Sequence, residues 1–190
     1  MKNMKNLIKI AVGIMLTSLI FTLNAQSQTK FISKNGFISF YSHTPIEDIT
    51  AENNQVLCMF STDGELSISL LMRAFKFKIA LMEEHFNENY VESEKYPKAT
   101  FKGKVENISE VNFSANGEYK VKAKGDLTIH GITNAIDVEG VIVVQNNTPR
   151  IKANFNVKPV DYKINIPSMA KEKIAESIVV TVDIPLSAGK

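Results

Sequence analysis

Three histidines, His43, His85 and His130, and a single cysteine, Cys58, are the side chains best suited to nucleophilic, acid–base or metal chemistry. No two histidines stand at the short spacing of a local metal motif, and Glu84-His85 does not extend to HExxH. A zinc site would have to be assembled from histidines far apart in the chain. There is no GxSxG elbow, no phosphate-cradling glycine loop and no dinucleotide fingerprint. The acid pairs Glu83-Glu84 and Glu92/Glu94 read as a solvated helix face and its exit. A general acid and base need two different environments, which adjacent exposed carboxylates do not provide. Cys58, in "QVLCMFS", reads as a packed strand thiol rather than a nucleophile. The sequence therefore predicts no catalytic residues, no metal site and no cofactor.

The elements that hold these residues are strands. In "GEYKVKAKGDLTI", Tyr119, Val121, Ala123, Gly125, Leu127 and Ile129 alternate with charged or polar residues, which describes a strand with one dry face and one wet face. The lysines of that run form a solvated outer face. The next run, Ile136, Val138, Gly140, Ile142 and Val144, has the opposite phase, so a turn or bulge must separate the two. His130-Gly131, inside "GDLTIHGIT", is its natural place, and His130 reads as a turn residue able to hydrogen-bond across a barrel end.

Similar alternation marks Leu66 to Met72 after an Asp63-Gly64 turn, Ala99 to Val105, Ile151 to Val157 and Ile178 to Leu186. Phe37 to His43 reads as the first strand, with Val56 to Phe60 in another and Ile49 and Ala51 in a further one. One segment departs from this period. Ile79, Met82, Phe86 and Tyr90 fall three or four residues apart, which suits a short amphipathic helix closing a barrel end. A weaker helical turn is expected within Ser168 to Ala175. About eight strands with one inserted helix predict an all-β fold, a closed antiparallel β-barrel, with a sandwich as the alternative. Small residues on the inner face (Ala99, Gly103, Ala123, Gly125, Gly140, Ala153) either leave a cavity or permit curvature.

The N-terminus has a different character. Lys2, Lys5 and Lys9 precede an apolar run from Ile10 to Leu23, and Ala25 follows. That order of charge, apolar core and small residue predicts a secretory signal peptide over 1–25, leaving one domain over 26–190. The full chain counts 22 basic and 20 acidic side chains; without the three lysines the balance is 19 to 20, a net charge of −1. Bulk charge thus gives no case for nucleic acid. An exported chain with one cysteine can form no internal disulfide, so its stability must come from its core.

Two stretches together resemble a known family. "ALMEEHFNENYVESEKYPKATFKGKV" (80–105) and "YKVKAKGDLTIHGITNAIDVEGVI" (119–142), in this order after a signal peptide, are similar to the YceI-like exported bacterial proteins. The resemblance covers about residues 30–187 and implies a lipocalin-like eight-stranded antiparallel β-barrel with one short inserted helix. It implies a periplasmic or secreted, non-enzymatic protein whose pore holds a polyisoprenoid or similar long apolar lipid, a prenyl quinone among the options. Lipocalins carry a Gly-x-Trp near the first strand; this chain has no tryptophan, so that likeness is architectural. Many relatives carry an Arg-Asp pair before the histidine where this chain has Glu83-Glu84-His85.

The pore-lining candidates are the alternating inner positions Leu66, Ile68, Leu70, Phe101, Val121, Leu127, Ile142, Phe155 and Val180. Core and lining share one pattern, so a filled barrel acting through its surface, as a structural or stress-response module, is the alternative to a lipid carrier. On the carrier reading the partner is an apolar lipid of isoprenoid type and membrane contact is transient. No nucleic acid is involved, and a homodimer is left open.

Overall fold

The computed structural model describes residues 28–189. The expected signal peptide over 1–25 lies outside the described residues. Alternating sequence becomes strand almost wherever it was expected: β1 (Lys30–His43), β2 (Asp48–Ser61), β3 (Glu65–Leu71), the short β4 (Lys76–Phe77), β5 (Lys98–Val105), β6 (Gly117–Ile129), β7 (Ile132–Gln145), β8 (Thr148–Val157), β9 (Ile178–Pro185) and the short β10 (Ser187–Ala188). The eight long strands pair antiparallel in chain order, and β9 returns to pair with β1, which closes the barrel. Closure leaves the long strands no open edge. The short β4 adds to β2 and the short β10 to β1.

The first two strands are longer than the sequence indicated. Phe37 to His43 is only the second half of β1, and Ile49 and Ala51 share β2 with Val56 to Phe60. A bulge hid this continuity. The β1–β2 register shifts between Ser33 and Ile38, and in β2 the buried positions change from Ala51 and Asn53 to Val56, Cys58 and Phe60. An extra residue flips every later side chain to the other face, so the apolar period breaks although the strand does not. Asn53 fixes the irregularity from inside. Its amide Nδ2 donates to the Leu71 carbonyl at 3.0 Å, and its Oδ1 accepts from the Gln55 N–H at 2.9 Å.

Tight turns sit where the sequence placed them. His130 and Gly131 have φ of 52° and 73°, the two left-handed residues of a two-residue hairpin between the paired Ile129 and Ile132. Asn146 and Asn147, at 50° and 59°, make the equivalent turn between β7 and β8. Gly103 and Gly125 face each other across β5 and β6. A Cβ on Gly125 would lie 2.3 Å from the Lys102 carbonyl oxygen and 2.5 Å from the Gly103 Cα, so these glycines permit close strand approach and curvature. The Phe101 ring covers Gly103 from within the barrel, much as aromatic side chains shield strand glycines elsewhere.

The two barrel ends differ. One end carries the short β2–β3 and β7–β8 turns together with the residues flanking both described chain ends. Phe31, Phe60 and Phe113 fill it, with ring centroids 6.0–6.4 Å apart, and Val56, Val144 and Ile184 are wholly buried around them. This end is the floor. The opposite end carries the long 72–97 insertion and the 158–177 segment. In the first, helix α1 (Ala80–His85) continues into a wider turn over Phe86–Tyr90, as the three-to-four spacing predicted. Glu83 ties it down, accepting from Lys76 Nζ at 2.6 Å and from the Phe77 N–H at 3.3 Å. In the second, the expected weak turn is a single helical turn at Ser168–Ala170.

Candidate functional site

The space inside this barrel is divided in two. A cavity of about 750 Å³ lies at the end roofed by the two long segments, and a smaller one of about 100 Å³ lies deeper. All nine candidate positions face one or both. Leu66, Ile68, Phe101, Val121 and Ile142 line the deep chamber, Val180 lines the upper one, and Leu70, Leu127 and Phe155 line both. The alanines at 99, 123 and 153 face this space too. The small inner residues are thus split by role: Gly103 and Gly125 let strands approach, while the alanines leave room.

The roof carries lining residues that strand alternation alone did not mark. Phe75, Phe77 and Phe86 of the roof cluster with Phe40 of β1, with ring centroids 5.1–5.8 Å apart. Ile79, Met82, Phe86 and Tyr90, the helical face legible in the sequence, point into the upper cavity together with Ile164, Ile166 and Met169 of the second segment. Ile79, Leu81 and Met169 are exposed where this cavity reaches the surface. The few polar groups gather there as well. Glu47, His85, Asn89 and Lys173 border the mouth, with Glu47 and Lys173 paired at 3.9 Å. An apolar chamber with a few polar groups at its entrance suits an amphiphile bound tail first.

His130 does more than make a turn. Its Nδ1 donates to the Tyr162 carbonyl at 3.0 Å, and its Nε2 meets Glu92 Oε2 at 2.6 Å. Tyr96 packs edge-on against the imidazole, 4.5 Å between centroids. Asn134, two residues beyond β7's start, adds a bond to the Asp161 carbonyl at 2.8 Å. One hairpin therefore clamps both roof segments.

The clamp carries a pH dependence through Glu92. The His130 hydrogen bond, helped by Lys95, holds the Glu92 carboxyl below its ordinary 4.5. A lowered carboxyl contributes stability that is complete above the ordinary value and is lost as pH falls through the folded one. Glu92→Gln is therefore expected to melt earlier than wild type at neutral pH, with the gap closing in acid below 4.5. A gap that stays constant into acid would assign the effect to shape rather than charge.

The remaining reactive groups stand apart from the cavities. Cys58 is buried on β2, and burial pushes its thiol up to about 12. Maleimide in mildly alkaline buffer is expected to leave the native protein unlabelled and to modify it fully in denaturant. Fast native labelling would show that β2 opens. His43 is the exposed last residue of β1, 2.6 Å from Asp48, whose carboxyl this bond holds below its usual range. Among the described residues no group of three His, Cys, Asp or Glu side chains could hold a metal ion. No helix among them is long and apolar enough to cross a membrane.

A closed up-and-down barrel of eight antiparallel strands around an apolar pore, with a short helix across one end, is a lipocalin-like barrel. The chain belongs to the YceI-like family: the YceI-like domain matches residues 24–186. Solved structures share the fold at low identity. A polyisoprenoid binding domain from Saccharophagus degradans, implicated in plant cell wall breakdown, is 17% identical with a TM-score of 0.73, covering 84% of this chain and 98% of that one. BcnA of Burkholderia cenocepacia is 14% identical, TM-score 0.65, over 80% and 96%. The YCEI protein of Campylobacter jejuni is 17% identical, TM-score 0.53, over 72% and 81%. No curated protein sequence matches the chain.

Proposed function

We propose that this protein is a non-enzymatic carrier that holds a polyisoprenoid or a similar long apolar lipid, a prenyl quinone included, in its barrel. The observation that carries the reading is the upper cavity of about 750 Å³, lined almost entirely by hydrocarbon and bordered at its mouth by a few polar side chains. Burying an apolar tail there is driven by area, at roughly 25 cal/mol per Å² before ordering costs. No dense set of polar contacts is required, which fits the lining. The polyisoprenoid binding of the Saccharophagus degradans domain supports the same ligand class. The N-terminal charge-apolar-small pattern supports export to the periplasm or beyond, with the mature chain meeting a membrane only to load or release cargo.

Native mass spectrometry of the protein, purified without detergent from exported material and then extracted with organic solvent, tests this. The expected result is a stoichiometric extra mass that extracts as a prenyl lipid. A bare polypeptide mass, unchanged after incubation with quinones and polyprenols, would overturn the carrier reading.

A further inference from the structure

Five residues border both chambers: Ile38 on β1, Leu70 on β3, Ala99 on β5, Leu127 on β6 and Phe155 on β8. They come from five of the eight barrel strands and stand at the level where the wide upper cavity gives way to the small lower one. Four of them are large. Ala99 is the exception, and it lies directly opposite Leu70 in the β3–β5 ladder. The ring is therefore a neck whose widest point is at Ala99.

Beneath the neck, among the described residues, the barrel is closed by packed side chains rather than by a roof segment. The lower chamber ends against Val105, Val121, Ile142 and Ile151, and below these sits the Phe31–Phe60–Phe113 floor. Its lining is hydrocarbon apart from Thr100 and Lys152. A polar end group would be stripped of water there with almost nothing to bond, so only the apolar end of an occupant can enter. The polar end must stay at the mouth, beside Glu47, His85, Asn89 and Lys173. With one end fixed at the mouth and the other meeting a floor, the occupant's length becomes a measurable constraint.

We propose that this neck and the blind chamber below it gauge tail length, with Ala99 as the specificity-determining residue. The inference rests on the carrier reading. A hydrocarbon group takes roughly the 30 Å³ that a water takes in the liquid. On that scale the upper cavity of about 750 Å³ holds about five isoprene units and the lower chamber of about 100 Å³ takes roughly three carbons of a sixth, entering past Ala99. Tails up to about five units are buried whole and a sixth in part, and each further unit stays outside in water without adding affinity.

The experiment is a binding series of linear prenols from two to ten units, read by native mass spectrometry in competition. It compares wild type, Ala99→Phe, which fills the neck, and Ala123→Leu, which fills the lower chamber from another strand. For wild type, affinity is expected to rise to about six units and then level off. In either variant the six-unit prenol is expected to lose at least tenfold relative to the three-unit prenol. If Ala99→Phe does not fold, Ala123→Leu carries the same comparison. Affinity that keeps rising through ten units in wild type overturns the gauge alone, as does an unchanged ratio in a folded variant. Failure of wild type to bind any prenol overturns the carrier reading and the gauge with it.

Discussion

Phe60→Ala is expected to destabilise the protein by about 3–5 kcal/mol, the range for deleting a fully packed aromatic side chain. The ring is 2% exposed and packs against Phe31 and Phe113 in the floor. Truncation removes its transfer energy and leaves a void that the surrounding closed strands cannot collapse to fill. Phe155→Ala is the informative contrast. That ring borders both chambers, so part of its surface already faces empty space and there are fewer contacts to lose. Urea midpoints of the lipid-free protein should rank Phe60→Ala well below Phe155→Ala. Equal losses would mean that the floor is no better packed than the pore.

Gly125→Ala is expected to be nearly as costly, although it adds only one methyl group. The new Cβ would lie within 2.3–2.9 Å of backbone atoms of Lys102 and Gly103, and backbone cannot rotate away as a side chain can. Overpacking of this kind costs about 1–3 kcal/mol, and the upper end applies because two paired strands must separate. The melting temperature should fall by about 6–12 °C at the usual 2–4 °C per kcal/mol for a domain of this size. Gly117→Ala is the control, since its Cβ would meet only the Tyr119 ring at 3.1 Å or more, and that ring can turn aside. If both substitutions are equally mild, close approach of β5 and β6 is not what Gly125 provides.

The parts of this fold that were legible in sequence are those governed by local rules. The phase change between Ile129 and Ile136 located the His130-Gly131 turn because strand period and left-handed turn residues are both local. The spacing of Ile79, Met82, Phe86 and Tyr90 located the helix that became the roof for the same reason. The β1–β2 bulge was not legible, because an extra residue in the ladder breaks the apolar period that identifies a strand. The clamp was not legible either. His130, Glu92 and Tyr162 lie 38 and 32 residues apart, and no pattern on one strand records a partner on another segment. The pore-facing positions were readable as inward-facing, but nothing in the alternation separates Val121 in the narrow chamber from Phe155 at the neck. Cavity shape depends on which strands curve and where the aromatic floor sits.

The order in which the strands pair has a consequence for how the chain reaches this state. Every pairing between long strands but one joins neighbours in sequence, so the meander can form hairpin by hairpin from local encounters. Only the β1–β9 seam, with Phe40 opposite Val180 and Ile38 opposite Val182, brings together the two extremities of the barrel. Loop-closure entropy makes such a seam the last to form. Truncating Val182 should therefore speed unfolding in stopped-flow measurements and leave the refolding rate nearly unchanged; an equal slowing of refolding would place the seam in the nucleus instead. Until the seam closes, β1 and β9 are two long apolar edges able to pair with another copy. The chain's greatest exposure to aggregation is the interval before its first and last strands meet.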